Sequence, residues 1–187
     1  MHLLPLTAAT APDASKPILE GAARAFGFVP NLLGNMAHAP ALLQAYTAVS
    51  AAFDTTSLTA AERQVVLLAT SVRNQCTYCV AAHTVIAGMQ QVPGDVVEAL
   101  RRSQPLADPR LQALRQFVEE IVESRGWPSV ATETAFFEAG YTQAQALEVL
   151  VGVGQKTLSN YMNHIAGTPL DNAFADAAWS REATPAD

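Results

Sequence analysis

Cys76, Cys79 and His83 are the residues of this chain whose types and spacing could do chemistry. They lie in the stretch Asn74-Gln75-Cys76-Thr77-Tyr78-Cys79-Val80-Ala81-Ala82-His83. On a helix the cysteines are i and i+3, and the histidine is i+4 from the second, so all three project from one face. The first cysteine stands near the helix N-terminus, where free N–H groups favour a thiolate. A histidine one turn beyond the second cysteine can take or relay its proton. An activated sulfur, a base and a resolving thiol are what reaction with a peroxide or a disulfide requires. Two other readings stay open at this point: a pair of small buried hydrophobes, or half of a zinc site shared across an oligomer. These are the only two cysteines, and the four histidines are scattered. A bridge between residues three apart closes no useful structural loop, so redox chemistry leads.

The elements that must hold these residues read as helix after helix, with nothing patterned as a strand. Residues 1–14 are a Pro/Ala/Thr-rich lead. A short helix is expected from about Lys16, with Pro17 in its first turn and Gly27 as its stop. Val29-Pro30-Asn31 opens another to about His38, and Pro40 starts a third through Phe53. Thr59 followed by Glu62 forms a capping box. The helix it starts carries Val65, Val66, Leu68, Ala69 and Val72 at helical spacing and ends near Arg73. Asn74-Gln75 breaks the chain, and the helix bearing the cysteines runs from about Cys76 to Gly88. Further helices are expected at Pro93–Arg102, from Asp108-Pro109, at Ala131–Ala139, and from Thr142 to near Gly167. No linker or repeat divides the 187 residues, which read as one all-α domain with its redox motif at 58–88.

Composition narrows the function classes. Half the residues are apolar and only 15% are charged, which suits a helical protein that buries additional surface in an oligomer. The net charge is −6 and no Lys/Arg run occurs, so there is no footprint for nucleic acid or anionic lipid. The N-terminal Met1-His2-Leu3-Leu4-Pro5-Leu6 lacks the form of a signal peptide, and no apolar stretch is long enough to span a membrane. The expected location is the cytoplasm. His2 and His38 read as surface residues and His164 as a C-terminal helix cap. Trp127, Trp179, Tyr141 and Tyr161 read as core or interface anchors. Phe28, Phe53, Met36 and Tyr46 either fill a core or line an apolar pocket. No phosphate loop, serine nucleophile elbow or metal-binding carboxylate cluster is present.

The stretch Leu58-Thr59-Ala60-Ala61-Glu62-Arg63-Gln64-Val65-Val66-Leu67-Leu68-Ala69, followed by Cys76-Thr77-Tyr78-Cys79-Val80-Ala81-Ala82-His83, resembles the core motif of the alkylhydroperoxidase AhpD-like and carboxymuconolactone decarboxylase superfamily. Gly27-Phe28-Val29-Pro30-Asn31-Leu32 is similar to the opening of its peroxidase-related members, and Asn160-Tyr161-Met162-Asn163-His164-Ile165 with Thr168-Pro169 to their C-terminal part. The likeness covers roughly residues 25 to 179. It implies an all-α helical bundle that assembles into dimers, trimers or hexamers. It also implies roles: Cys79 attacks a hydroperoxide and becomes a sulfenic acid, Cys76 condenses with it to a disulfide, His83 belongs to a proton relay, and a dithiol reductant restores the pair. No metal or organic cofactor is called for.

One position departs from that pattern. The relay glutamate of better-known members stands twelve residues before the first cysteine, which here is Gln64. Glutamine hydrogen-bonds but does not shuttle a proton at neutral pH. Glu62 is the nearest carboxylate, about 200° away around the helix, and it is the natural capping partner of Thr59. Tyr78 stands between the cysteines where some members have a second histidine. Besides the peroxidase reading, two others are open. One is the lactone decarboxylase branch, which does not depend on a CxxC pair. The other is a non-catalytic redox sensor whose disulfide state alters an oligomeric interface.

Overall fold

The computed structural model describes residues 1–180. Nine α-helices follow one another among the described residues: α1 (Lys16–Phe26), α2 (Asn31–Met36), α3 (Pro40–Asp54), α4 (Ala60–Arg73), α5 (Thr77–Met89), α6 (Gly94–Arg101), α7 (Pro109–Ser124), α8 (Val130–Glu138) and α9 (Gln143–Ala166). A 3-10 turn at Asn172–Ala177 follows. The bounds sit where local chemistry puts them. Thr59 and Glu62 close a reciprocal capping box on α4, and Thr142 and Gln145 close one on α9. Asp108 accepts from the backbone N–H groups of Arg110 and Leu111 at the start of α7. Gly27 and Gly167 end α1 and α9 in the left-handed conformation that glycine adopts without cost.

Helix α4 is the central element, packing against α5, α6, α7 and α9. Its residues from Gln64 to Val72 are all buried, so it is covered on every side. On one side, α4, α6, α7 and α8 build an apolar core around Val65, Leu68, Leu100, Leu114 and Phe136, with Phe136 stacked between Phe117 and Tyr141. On the other, the lead segment, α1–α3, α5, the end of α9 and the 3-10 turn enclose a second core that contains both cysteines. Helix α9 crosses close to α3 and α4 at Gly152. A Cβ there would come within 2.6 Å of Phe53 Cζ and 2.7 Å of Val66 Cγ1, so only glycine allows this approach.

The anchors divide as follows. Phe53, Met36 and Tyr46 are core residues, and Tyr141 is buried while Trp179 packs against the edge of the first core. Trp127 and Tyr161 stand out from the surface, 83% and 55% exposed. His2, His38 and His164 are exposed, with His164 in the last turn of α9 beside Tyr161. No helix among the described residues is long and apolar enough to cross a membrane.

Candidate active site

The corner between α4 and α5 brings the cysteines into place. Asn74 ends α4, Gln75 takes a left-handed φ of 56°, and the Cys76 N–H donates to Ser71 O at 2.9 Å. Cys76 thereby becomes the N-cap of α5, and Cys79 lies in its first turn. Both thiols are free, and each residue is only 1% exposed.

Opposite them, α9 presents Lys156, Ser159, Asn160 and Asn163, at i, i+3, i+4 and i+7, on one buried face. Asn163 Nδ2 donates to both sulfurs, at 3.3 Å to Cys79 and 3.6 Å to Cys76. Ser159 Oγ lies 3.7 Å from Cys79 Sγ. Asn160 ties the face to α4, accepting from Asn74 Nδ2 at 3.0 Å and donating to Ser71 Oγ at 3.4 Å.

This ring of donors sorts the two thiols. Burial pushes the Cys79 thiol up, but the Cys76 hydrogen bond, the Lys156 charge, and Ser159 and Asn160 outweigh it and bring it down to about 5. Cys76 is pushed the other way, because its thiol donates to Cys79 and is buried beside that charge. The helix N-terminus, which favoured Cys76 as the thiolate, is overruled: one negative charge fits here, and α9 directs it to Cys79.

His83 is buried next to Lys156 rather than left free to take a proton. Lys156 Nζ lies 2.8 Å from His83 Nε2. An ammonium has no acceptor, so Nε2 accepts and Nδ1 carries the ring proton. Nδ1 then donates to Gln64 Oε1 at 3.1 Å, and Gln64 Nε2 donates to Gln90 Oε1 at 3.0 Å at the surface. Burial, and then the Lys156 charge, hold His83 well below its usual range, so it is neutral. Lys156 itself is raised: burial opposes its charge, but the neighbouring Cys79 charge outweighs burial.

Gln64 therefore touches His83, whereas Glu62 points away from the thiols. One Glu62 oxygen accepts from Thr59 N at 2.8 Å, and the other faces Arg110 at 3.2 Å. Burial opposes the Glu62 charge, yet Thr59, Tyr141 and Arg110 hold its carboxyl below the ordinary value. It is a structural cap here, and the structure does not bring it to the site. Tyr78 serves as a clasp: its hydroxyl donates to Asp171 Oδ2 at 2.5 Å and accepts from Leu32 N at 3.2 Å. The same carboxylate accepts from Asn31 N.

Sequence reasoning missed Lys156, Ser159 and the roles of Asn160 and Asn163. No local signal marked them, because α9 also carries Gln143, Gln145, Glu148, Gln155 and Thr157, and the four do not stand out as its one polar stripe. Among the described residues, no three His, Cys, Asp or Glu side chains converge on a point where a metal could bind.

Residues 40–120 match the profile of the carboxymuconolactone decarboxylase family. Among solved structures, the alkylhydroperoxidase AhpD core protein of Ralstonia eutropha JMP134, a peroxidase-related protein, is 26% identical, with a TM-score of 0.81 over 93% of this chain and 96% of that one. A peroxidase-related protein from Silicibacter sp. TM1040 is 20% identical, with a TM-score of 0.75 over 87% of each chain. The debrominase Bmp8 is 18% identical, with a TM-score of 0.76 over 93% of this chain and 94% of that one. No functionally curated protein matches. The match over residues 40–120 and the likeness to the AhpD core protein support a place in the AhpD-like carboxymuconolactone decarboxylase superfamily, and the all-helical fold is that of the AhpD-like proteins.

Proposed function

We propose that the protein is a thiol-dependent oxidoreductase that reduces organic hydroperoxides through a Cys76/Cys79 dithiol–disulfide cycle. The observation that carries this reading is the sorting of the two thiols. Cys79 is ringed by Asn163, Ser159 and Lys156 and holds the charge, while Cys76 remains a protonated thiol beside it. A nucleophilic thiolate next to a resolving thiol is what the cycle needs. Cys79 attacks the distal peroxide oxygen, and Cys76 then closes the disulfide. His83 and Gln64 orient the buried polar chain behind the sulfurs. A dithiol, small or protein-borne, returns the pair to its reduced state, and no metal or organic cofactor takes part.

The site is built around the two thiols, which favours this reading over lactone decarboxylation. A debrominase shares the fold, and one of its solved forms, the C82A variant, holds 2,3,4-tribromopyrrole. At 17–18% identity that likeness extends to the fold alone, so a brominated pyrrole belongs in the same assay as a rival electrophile. Exposed Leu147, Leu150, Tyr161 and Ile165 on the outer face of α9 support association of copies into a homo-oligomer.

The test is stoichiometric. Reduced protein is mixed with cumene hydroperoxide, thiols are counted, and mass spectrometry locates the bridge. The expected result is loss of both thiols with a Cys76–Cys79 disulfide and one equivalent of alcohol. Unreacted thiols, or bromide release from the pyrrole with no hydroperoxide consumed, would replace the peroxide reading. A change in oligomer size between the two redox states, without turnover, would favour the redox-sensor alternative.

A further inference from the structure

A lysine with 1% exposure in the middle of a helix needs a reason. Lys156 has no carboxylate partner among the ion pairs of the described residues. The titratable groups that face it are Cys76, Cys79 and His83 of α5 and Tyr46 of α3. Among the described residues, its counter-charge is the Cys79 thiolate. Burial alone would favour the neutral pair, but the Asn163 donor at 3.3 Å and the attraction between Cys79 and Lys156 hold it as thiolate and ammonium.

We propose that Lys156 is the proton donor of this site, giving up its proton whenever Cys79 is oxidised and regaining it whenever the disulfide is reduced. The inference rests on the thiol-oxidoreductase reading above. It also accounts for Gln64: with a lysine carrying the proton, no carboxylate is required behind His83. Once Cys79 is a sulfenic acid or a disulfide, its sulfur bears no charge, and an ammonium left alone in this place is costly.

The steps balance. The Cys79 thiolate forms an S–O bond to the distal peroxide oxygen, and the O–O bond breaks. The departing alkoxide takes the proton of Lys156, leaving a sulfenic acid, an alcohol and a neutral amine. That amine then takes the thiol proton of Cys76. The Cys76 sulfur attacks Cys79, the S–O bond breaks, and hydroxide leaves as water with the same proton. In the reverse phase a dithiol supplies two electrons and two protons: one proton returns to Cys76 and one to Lys156, and Cys79 departs as a thiolate. His83, whose Nε2 accepts from Nζ, fixes where the amine sits in both states.

The chain contains two lysines, Lys16 and Lys156, so a protein carrying ¹³C at lysine Cε shows two resonances. Lys16 pairs with Asp13 at 2.7 Å on the surface and serves as the internal reference. Spectra at mildly alkaline pH are compared for reduced protein and for protein oxidised with diamide, which forms the disulfide without peroxide chemistry. The expected result is a charged Lys156 in the reduced form and a neutral one in the disulfide form, with Lys16 unmoved. A Lys156 in the same state in both forms overturns the proposal. As a second measurement, Lys156→Arg keeps the charge but does not release a proton near neutrality. Its Cys79 alkylation rate is expected within about threefold of the parent, while hydroperoxide consumption falls at least about tenfold. Equal hydroperoxide rates in parent and variant overturn the donor role. A parent that ignores hydroperoxides but shows the diamide-dependent change loses the peroxide reading and keeps the proton coupling.

Discussion

Helices α5 and α9 meet across the two sulfurs and contribute unlike things. Helix α5 supplies the reacting atoms in one contiguous motif, and its own N-terminus offers a preference for charge on Cys76. Helix α9 supplies no reacting sulfur, only an ammonium, a hydroxyl and two amides spread over two turns, and it moves the charge to Cys79. One helix therefore brings the two sulfurs together and the facing helix sets which of them carries the charge. A thiol pair taken with its own helix alone would have the charge placed on Cys76.

Substitutions on the two sides should separate these contributions. The largest effect is expected on α5. Cys79→Ser should lower hydroperoxide consumption by at least about a thousandfold, because no sulfur nucleophile remains at the site. Cys76→Ser should retain the first step and stop at a sulfenic acid, which dimedone traps. Next is a change on α9. Asn163→Ala removes the donor shared by both sulfurs, a hydrogen bond to a charged group being worth about 1.5–3 kcal/mol. The Cys79 titration should then move up by about one to two pH units, seen as a shift in thiolate absorbance. In the parent, alkylation of Cys79 should stay level as pH is lowered toward about 5 and fall below it. A parent profile that breaks near the ordinary cysteine value would show that α9 does not control the charge.

A smaller effect is expected where α9 leans on the scaffold. Gly152→Ala forces a methyl group into Phe53 and Val66, an overpacking that costs about 1–3 kcal/mol in denaturant unfolding. Smallest, and silent at the thiols, is Glu62→Gln. It weakens the α4 cap by about 0.5–2 kcal/mol and should leave alkylation and hydroperoxide rates unchanged. The sign with pH follows from a carboxyl held below its ordinary value in the folded state. Its stabilising contribution is complete above the unfolded carboxylate value and is lost as pH falls through the folded one, so parent and variant should converge in acid.

The same contrast explains what was legible in the sequence. The helix bounds were, because caps are local: Thr59 with Glu62, Asp108 before Pro109, and Gly27 and Gly167 at helix ends each act within one turn. The Cys76, Cys79 and His83 face was legible for the same reason. Lys156 was not, since a single lysine between Gln155 and Thr157 gives no sign that its helix face is buried. Its partner His83 lies 73 residues away, as Cys79 lies 80 from Ser159 on the same helix face, beyond the reach of any periodicity. The 3-10 turn at Asn172–Ala177 was equally hidden, because its buried Phe174 packs edge-on against Phe28 and Tyr78, each from a different part of the chain.

The Tyr78 clasp has a consequence for how the protein is made. Its acceptor, Asp171, lies 93 residues further along the chain, and the donors to Cys79 are synthesised only slightly earlier. A ribosome that has released α5 has therefore exposed two ordinary cysteines, with neither the charge nor the shelter of the finished protein. They acquire both together, when residues 156–171 emerge and dock. The charge on Cys79 is in this sense acquired late, only after α9 has followed α5 out of the ribosome.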